Sequence, residues 1–528
     1  MSDQAPEIGF VGMARWLWTQ LTSMRTALVL LFLLAFAAIP GSLVPQSSTS
    51  PSRVAQIARD QPGLDKVYRF LGMYDVFTSV WFSAIYLLLF VSLVGCILPR
   101  VMVYARALRN PPPALPSRLD RLPEWGRGEL TGVEANEVVA AAEGWLRRKR
   151  FRTRRTDLPD GTVGLSAERG YLREFGNLLF HVSLVVVLVG VAWNTLWGSK
   201  GSAIVVEGQG FSNNITQYDE FHAGAAVNTD HLPPFSLVLN RFTATFETGP
   251  VQTGAAREFR ADVTVTEQSA SGDASSSRRT IEVNHPLNVH GTTIHLISHG
   301  YAANVEVRDG SGNLAFAGPV VFLPQDGNFK SAGVIKAPDA RPERLAFEGW
   351  LLPTATVDAA GPRSLFPDAL NPELFLNAWS GKPKQETGRP ENVYVLDTTG
   401  LTQIKNGNDL LRLRLKPGDT YQLPDKQGSI TFRGYQRWTK MQFSRAPGLP
   451  LVFGSLALGV FGICLSLFVR PRRLFVKLRR EADTGTLLVE AAGLDRADSR
   501  LGLSDDVADL LVATGADPDN PTDQEATP

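Results

Sequence analysis

The sequence predicts a membrane protein with four transmembrane α-helices and a large extracytoplasmic all-β domain, sandwich or barrel-like, between helices 3 and 4. Four apolar runs each come near the roughly 20 helical residues that a hydrocarbon core about 30 Å thick requires. None of these runs contains Asp, Glu, Lys or Arg. The longest segment outside the runs, residues 198–445, instead shows the alternation of apolar and polar residues that is typical of β-strands.

The apolar runs define where the chain is expected to cross the membrane. They cover residues 26–44, 80–98, 175–197 and 449–469. Because unpaired backbone groups are costly in lipid, each run is expected to be helical. A cleaved signal peptide is the alternative for the first run, but its long N-terminal flank and its continuation past Pro40 favour an uncleaved helix. Residues 26–98 therefore hold the first two helices and a short extracytoplasmic loop, and residues 446–469 hold the fourth helix.

Basic residues beside the apolar runs predict the orientation. Arg100, Arg106 and Arg109 follow the second run, and a cluster of Arg and Lys within residues 470–480 follows the fourth. Lys and Arg accumulate in short cytoplasmic loops. We therefore expect the N-terminal residues 1–25, the loop 99–174 and the tail 470–528 in the cytoplasm.

The predicted cytoplasmic segments differ in character. The loop 99–174 is expected to hold a small folded element, since residues 136–149 have helical apolar spacing. The basic run RRKRFRTRR follows and suits an anionic-lipid or partner patch, although ordinary positive-inside bias is the favoured interpretation. The tail is acidic and rich in small residues from Glu481 onward, which predicts a largely disordered segment with one short helix at residues 507–512.

Short strands with Gly and Pro punctuation fill the predicted β domain. Val263 and Val265 alternate with polar residues ahead of a Ser/Gly-rich turn, which predicts a hairpin with residues 280–284. Similar alternation recurs at residues 305–308 and 411–415. The pattern suits a sandwich or an open barrel, with two lobes as one possibility.

Composition excludes several functions. A formal charge of +1 leaves no basic field for nucleic acid. The two cysteines, Cys96 and Cys464, lie inside apolar runs, and no CxxC occurs, so a disulfide framework and a thioredoxin-like dithiol are both excluded. Any redox chemistry must therefore come from a bound cofactor.

Four stretches of the sequence together resemble the ResB family of system II cytochrome c biogenesis proteins. They are LTSMRTALVLLFLLAFAAIPGSLVPQ from Leu21, YDVFTSVWFSAIYLLLFVSLVGCILPR from Tyr74, GYLREFGNLLFHVSLVVVLVGVAW from Gly170 and VNHPLNVHGTTIHLISHGYA from Val283. Their order across four helices and an exported domain makes the resemblance specific to this family. The resemblance covers residues 21–480 and leaves the acidic tail outside.

The resemblance implies a subunit of the bacterial cytoplasmic membrane that handles haem b transiently and presents it for covalent attachment to apocytochrome c. The family acts with a polytopic subunit of the ResC or CcsA type, which carries a tryptophan-rich haem motif. WNTLWG in this chain is not that motif. The chain is thus expected to be a non-catalytic assembly subunit on its own, surrounded by membrane lipids and without a nucleic-acid partner.

His181 is the candidate haem ligand. Apart from cysteine and tyrosine, it is the only ionisable residue in the four runs. Such a group is costly in lipid and is a functional hypothesis by default. Lipid disfavours imidazolium, so a neutral ring keeps a lone pair for haem iron. It lies about 9 Å from the cytoplasmic end of the third run. The resemblance implies a ligand opposed by a partner histidine, and the alternative is a histidine that only sets helix packing.

Three aromatic residues lie near His181 in the sequence. Phe180, Trp193 and Trp197 are candidates for lining a porphyrin face. Tryptophans at helix ends are more often interfacial anchors, so that interpretation is favoured for Trp193 and Trp197.

A second candidate site is a cluster of histidines in the exported domain. His285, His290, His295 and His299 lie close together in a chain that has seven histidines. On one extended strand His295 and His299 would share a face, whereas the other neighbouring pairs would point oppositely. The spacing matches no trusted zinc pattern. A haem contact outside the membrane, a structural metal and plain β-domain surface all remain open, and surface is favoured.

A different class of function is a membrane-anchored extracytoplasmic binding protein, scaffold or sensor. It would explain the topology equally well. It would not explain a lone histidine in the third helix, and the sequence has no phosphate-binding loop or kinase-like motif to carry a signal. An ion-coupled transporter is weaker still, because the runs contain no carboxylate.

Overall fold

The computed structural model of the protein describes residues 9–47, 50–268, 273–359, 361–383, 393–481, 485–495 and 502–517. The chain divides into two units. One unit combines Met1–Ala192 with Gly448–Pro528, and the other is Trp193–Pro447. The first unit therefore draws on both ends of the chain, and the second is one continuous segment.

The helices lie mainly in the first unit. They are α1 (Phe10–Leu21), α2 (Met24–Leu43), α3 (Pro51–Asp60), α4 (Pro62–Phe70), α5 (Val80–Arg109), α6 (Ala135–Arg148), α7 (Tyr171–Trp197), α8 (Leu449–Phe468) and α9 (Leu503–Ala513). Short 3₁₀ turns lie at Met73–Thr78, Ile215–Gln217, Thr229–His231 and Pro424–Lys426. By length and hydropathy, α2, α5, α7 and α8 are candidate membrane spans, which confirms the four predicted helices.

The strands fall into two groups. In chain order they are β1 (Glu124–Leu130), β2 (Arg152–Asp157), β3 (Val163–Arg169), β4 (Ser199–Val206), β5 (Gly210–Ser212), β6 (Glu220–Ala223), β7 (Phe235–Phe246), β8 (Ala256–Gln268), β9 (Ala274–Glu282), β10 (Leu287–Val289), β11 (Thr292–Asp309), β12 (Leu314–Pro324), β13 (Ser331–Ala337), β14 (Arg344–Leu352), β15 (Ala355–Asp358), β16 (Gly361–Ser364), β17 (Glu373–Gly381), β18 (Leu401–Gln403), β19 (Lys405–Asn406), β20 (Asp409–Leu410), β21 (Arg412–Leu415), β22 (Thr420–Gln422), β23 (Gly428–Arg445), β24 (Arg472–Arg480) and β25 (Leu487–Asp495). Strands β4 to β23 lie in the second unit, and the other five lie in the first.

Helices α7 and α8 pack backbone to backbone through small residues. Gly176, Ser183 and Gly190 are the buried residues of α7, and they recur every seventh position. A Cβ added at Gly176 would lie 2.5 Å from the carbonyl oxygen of Gly462 on α8. In lipid no hydrophobic force drives helices together, so close contact between small residues supplies the attraction instead.

The strands of the first unit form one α/β domain. The antiparallel sheet has the order β1-β25-β24-β3-β2, so strands from the end of the chain occupy its centre. Helices α6 and α9 cover it, and the shared core includes Val138 and Leu146 of α6 and Leu510 of α9. We refer to this unit of sheet and two helices as the α/β domain.

The prediction of a largely disordered tail at residues 470–528 is wrong for most of its described part. Residues 472–480, 487–495 and 503–513 form β24, β25 and α9. The acidic composition from Glu481 onward concealed a pattern of alternation, in which Leu487, Val489 and Ala491 face the core. The small element predicted in residues 99–174 exists but is only half of this domain. The last residues of the chain, 518–528, lie outside the described residues.

Buried charges fasten α9 to the sheet. Asp506 on α9 forms ion pairs with Arg472 of β24 and with Arg169 of β3, the latter at 3.0 Å. Arg472 also lies 3.6 Å from Asp495 of β25. Because an unpaired buried charge is costly, removal of one partner would destabilise the domain more than the net strength of each pair suggests.

The second unit is the all-β domain that the sequence predicts between helices 3 and 4. Its main sheet has the path β18-β17-β14-β13-β12-β11-β23-β4-β6 and curls around a core that includes Phe322, Phe347 and Phe432. A four-stranded sheet, β5-β7-β8-β9, packs through a second core against β4, β11 and β23. The two cores correspond to the two lobes considered from the sequence.

Individual strand predictions also hold. Strand β8 pairs with β9, as the hairpin prediction required, although the turn residues 269–272 lie outside the described residues. Leu411, Leu413 and Leu415 are buried around the exposed Arg412 and Arg414. The strands at the two ends of the β domain, β4 and β23, pair as well, since Ser199 of β4 lies opposite Arg445 of β23. The chain therefore enters and leaves the β domain side by side.

The α7–α8 contact predicts the effect of a larger residue. Gly462→Val should destabilise the protein by about 1–3 kcal/mol, because the new Cβ would lie 2.7 Å from the carbonyl oxygen of Gly176, which cannot move aside as a side chain would. The measurement is thermal unfolding in detergent. Gly454→Val on the same helix is the control, since a Cβ there meets nothing within 4 Å. Equal melting temperatures for the two variants would contradict the contact.

The packing of α9 on the sheet predicts that substitutions at two nearby positions of this helix differ in their effect on stability. Leu510→Asp should cost at least about 3 kcal/mol, because Leu510 is 0% exposed and the carboxylate would have no partner there. Val512→Asp on the same helix, at a side chain 61% exposed, should change stability by about 0.5 kcal/mol or less. Limited proteolysis of the C-terminal region measures both. Equal protection of the two variants would mean that α9 does not pack on the sheet.

Candidate functional site

His181 lies in the wall of a cavity between α5 and α7. The cavity has a volume of about 290 Å³ and includes Ile97, Arg100, Val103, Tyr104, Asn177 and Leu178 in its wall. Helix α7 begins at Tyr171, four residues before the predicted run, so His181 lies about 15 Å from the start of the helix. The imidazole is partly exposed and borders the cavity.

The α7–α8 contact sets the direction of His181. Residues of an α-helix are about 100° apart around its axis, which places His181 about 140° from Gly176 and about 160° from Ser183. Those two residues face α8. His181 therefore points away from α8 and toward α5, where Tyr86 donates a hydrogen bond to the carbonyl oxygen of Leu188 and ties the two helices together.

One hydrogen bond determines which ring nitrogen of His181 is available. Nδ1 lies 2.8 Å from the carbonyl oxygen of Asn177. A carbonyl oxygen only accepts, so Nδ1 must carry the proton, and a neutral ring then has its lone pair on Nε2. Among the described residues nothing hydrogen-bonds Nε2. This arrangement is the one that orients metal-binding histidines, in which one nitrogen donates to the protein and the other binds the metal.

The side chain of Arg100 adds a positive charge to the wall of the cavity. Arg100 borders the same space, and its guanidinium donates to the sulfur of Met24 at 3.5 Å. Across the described parts of the chain, Arg100 forms no ion pair within 4.0 Å, although Glu174 borders the same cavity. A thioether is a weak acceptor, so the guanidinium keeps its capacity to bind a carboxylate.

The cavity residues other than His181 were not identified from the sequence. Arg100 was used only as a sign of orientation. Helical spacing was the available signal, because Arg100 and Tyr104 are four residues apart on α5, as are Asn177 and His181 on α7. That spacing shows which residues share a face of one helix. It does not show that the two faces meet.

The four clustered histidines, His285, His290, His295 and His299, do not converge on one metal site in the described part of the chain. No group of three or more His, Cys, Asp or Glu that could hold a metal occurs among the described residues. His285 lies at an isolated bridge with Glu282. His290 and Gly291 have φ of 48° and 77° and form the tight turn between β10 and β11.

The expectation that His295 and His299 share a face is wrong. A bulge in β11 interrupts its pairing with β23 between Leu296 and Ser298. Before the bulge His295 pairs with Gln442, and after it His299 pairs with Thr439. Positions 439 and 442 are three residues apart and therefore lie on opposite faces of β23. The extra residue thus turns His299 to the face opposite His295.

His299 packs inside an aromatic cluster. Its ring centroid lies 4.5 Å from that of Phe259, 4.7 Å from Phe329, 5.2 Å from Phe242 and 6.1 Å from Phe246. Burial, with a smaller contribution from nearby Arg437, lowers the pKa of His299 from 6.5 to about 4. The imidazole is therefore neutral at physiological pH and fills space in the core.

Trp193 and Trp197 contact each other at the end of α7. Their ring centroids are 5.0 Å apart, and both border a cavity of about 340 Å³ that Tyr218 and His231 also line. The two rings are 49% and 44% exposed. Half-exposed tryptophans at the end of a span also suit interfacial anchors, so both interpretations from the sequence stay open. Phe180 instead lies edge-on to His181, with centroids 5.2 Å apart.

Comparison with known proteins places the chain in a family. The model of the ResB-like family matches residues 24–507. The chain belongs to the ResB-like family. This match extends beyond residue 480, where the resemblance was expected to end, and it reaches α9. Both halves of the α/β domain therefore belong to the family's common region.

Relatives named cytochrome c biogenesis protein CcsB match the chain at modest identity. The cytochrome c biogenesis protein CcsB of Synechococcus sp. (strain JA-3-3Ab) is 25% identical over 463 residues, which are 85% of this chain and 81% of that protein. CcsB of Microcystis aeruginosa is 24% identical over 85% of this chain and 86% of its own length. CcsB of Picosynechococcus sp. is 26% identical, but the alignment spans only 61% of that protein.

The buried position of His299 predicts part of the protein's acid sensitivity. In the unfolded chain this imidazole titrates near 6.5, and in the fold near 4. Below pH 6.5 the unfolded state binds the proton more tightly, so stability falls by at most about 3 kcal/mol as the pH drops from 6.5 to 4. His299→Phe should remove this part of the fall in melting temperature between pH 7 and pH 4.

His295→Phe is the matched control because it lies on the opposite face of the same strand. It should keep the acid sensitivity of the original chain. If His299→Phe and the original chain lose the same stability in acid, the imidazole is not buried as described.

Proposed function

We propose that this chain is a subunit of a bacterial system II apparatus for cytochrome c maturation, in which His181 binds haem within the membrane so that it can be attached to apocytochrome c. One observation carries the proposal. The Nε2 lone pair of His181 borders a cavity between two candidate membrane spans, while Nδ1 is held by the carbonyl oxygen of Asn177. Membership of the ResB-like family and the relatives' name, cytochrome c biogenesis protein, support the pathway.

The residues of the cavity suit haem b. A neutral imidazole is a common axial ligand of haem iron. Arg100 would hold a propionate carboxylate, because its guanidinium has only a thioether as a described side-chain partner. Ile97, Val103 and Leu178 would contact the apolar macrocycle. When bound, haem supplies the vinyl groups that become thioether links to the client's cysteines.

This chain would supply one of two axial ligands. The described residues contain no second histidine in the His181 cavity. A partner of the ResC or CcsA type would provide the opposing histidine and close the partly exposed side of the ring. The two subunits together would position haem and the client for bond formation, which depends on orientation more than on a nucleophile from this chain. The chain alone would thus be an assembly subunit without catalysis of its own.

The charges at the helix ends support an orientation in the bacterial cytoplasmic membrane. Arg106 and Arg109 lie in the last turn of α5, and the basic residues after α8 lie in β24 of the α/β domain, so this domain would lie in the cytoplasm together with both termini. The β domain would lie outside, where the client receives haem. His181 would then bind haem nearer the cytoplasmic than the outer surface, as expected for a ligand that receives haem on its way outward.

Reconstitution tests the proposal. The chain, its candidate partner and an apocytochrome are expressed in a host that lacks its own maturation system, and covalent haem is measured by in-gel staining. Omission of this chain should abolish the stain. His181→Ala should reduce covalent haem by about tenfold or more and lower the Soret absorbance of the purified complex. His181→Gly should regain activity when imidazole is added, because imidazole can occupy the vacated position.

Controls separate a ligand from a packing residue. A variant with alanine at His285, His290, His295 and His299 should retain normal covalent haem, since these side chains do not converge. Arg100→Gln should weaken haem retention while the axial ligation, read from the visible spectrum, stays the same. Full maturation without this chain would refute the pathway. An unchanged Soret band in His181→Ala would refute the ligand alone.

A further inference from the structure

The fold divides the basic run RRKRFRTRR, residues 147–155, which extends from the end of α6 into β2, into two sets of side chains. Arg147 and Arg148 lie on the exposed surface of α6, where Arg147 pairs with Glu143 at 2.7 Å. Lys149, Arg150 and Arg152 instead line a cavity of about 620 Å³ in the first unit. The run is therefore more than a uniform basic surface, because part of it converges on one space.

The cavity is strongly basic. Its cations are Lys149, Arg150, Arg152, Arg169, Arg470 and Arg472, whereas Glu168 is its one carboxylate among the described lining residues. So many like charges around one space repel each other unless carboxylates or a bound anion compensate them.

Some of these charges are compensated within the protein. Asp506 pairs with both Arg169 and Arg472. Glu168 is engaged by Arg473 outside the cavity lining at 2.9 Å and by the hydroxyl of Tyr171 at 2.8 Å. The carboxylates near the cavity are thus already committed to other groups.

Arg150 and Arg152 remain without a carboxylate. Nothing in the described parts of the chain hydrogen-bonds the Arg150 side chain, which is exposed at the cavity edge. Arg152 donates to the carbonyl oxygen of Asn110 at 3.1 Å and lies 5.0 Å from the centre of the Tyr171 ring. Two guanidinium groups that border the same space present a fork of donors, which fits the oxygens of a phosphate.

One wall of the cavity is apolar. Leu172 lies in the first turn of α7, and Phe468 and Val469 lie at the end of α8, so the wall is built by the ends of two candidate membrane spans. Phe468 is 81% exposed. A free anion would make no contact with this apolar wall. A molecule with a phosphate at one end and an acyl chain at the other would use both sides.

We infer that this cavity binds the phosphate headgroup of an anionic phospholipid, with Arg150 and Arg152 as its principal contacts. Basic pockets at the ends of membrane helices favour such headgroups. The described lining contains no His, Cys or Met, and the hydroxyl of Tyr171 donates to Glu168, so the cavity offers no axial ligand for haem. The bound lipid would link the α/β domain to the bilayer at the ends of α7 and α8, independently of the proposed haem site.

Native mass spectrometry of the full-length chain tests the inference. The purified protein is stripped of lipid in detergent and titrated with phosphatidylglycerol. Arg150→Gly combined with Arg152→Gln should weaken the tightest binding event by about tenfold. Gly suits position 150, where φ is +61°, and Gln keeps part of the Arg152 packing. Arg147→Gln combined with Arg148→Gln removes the same charge from the outer surface and should leave binding within about twofold.

Titrations with other ligands identify the occupant of the cavity. Phosphatidylcholine should bind weakly, and inorganic phosphate at the same concentration should not displace phosphatidylglycerol. An equal loss of phosphatidylglycerol binding in both double variants would overturn the site, because general surface charge would then explain the binding. Displacement by inorganic phosphate, or by haem, would overturn the lipid as occupant. If the cavity variant melts at a lower temperature, Arg150→Gly alone decides, because the Arg150 side chain has no described contact to lose.

Discussion

The position of the candidate ligand depends on the close approach of α7 and α8. Glycines on both helices remove the side chains that would hold the backbones apart, since a Cβ built on Gly176 or on Gly462 would lie within 2.7 Å of the carbonyl oxygen of the other. This contact fixes the rotation of α7, and the rotation in turn directs His181 toward α5. The backbone hydrogen bond from Nδ1 then selects the nitrogen that faces the cavity. The glycine contact between α7 and α8 and the hydrogen bond from Nδ1 thus hold the polar His181 side chain in one orientation.

The same two helices connect strands that also pair with each other. Strand β3 precedes α7 and pairs with β24, which follows α8. Strand β4 follows α7 and pairs with β23, which precedes α8. Each end of the helix pair is thus continued by an antiparallel ladder whose hydrogen bonds restrict the sliding of one segment along the other. Register in both ladders is specified by buried faces, so a shift of one residue would turn core residues outward.

Sequence reasoning succeeded where a single local signal was sufficient. Apolar length predicted the four spans, and alternation predicted the β domain, whereas haem binding by His181 stays a prediction. Sequence reasoning failed where the outcome depended on distant partners. The strands β24 and β25 are stable only because β1 and β3 flank them and α9 covers them, so the acidic composition of the tail was misleading. Likewise, four neighbouring histidines suggested a site, but a bulge in β11 and aromatic residues from other strands placed His299 in a core. Arg100 joins His181 only through the packing of α5 on α7, which no spacing within one helix reveals.

The divided origin of the α/β domain has a consequence for biosynthesis. Strand β1 has β25 as its only neighbour in the described sheet, and β25 is made after the whole β domain and the last span. Strands β1 and β3 therefore each keep an open edge until β24 and β25 have been synthesised. Exposed edges are prone to aggregation and proteolysis. A chain truncated before β24 would lack the strands that cover these edges.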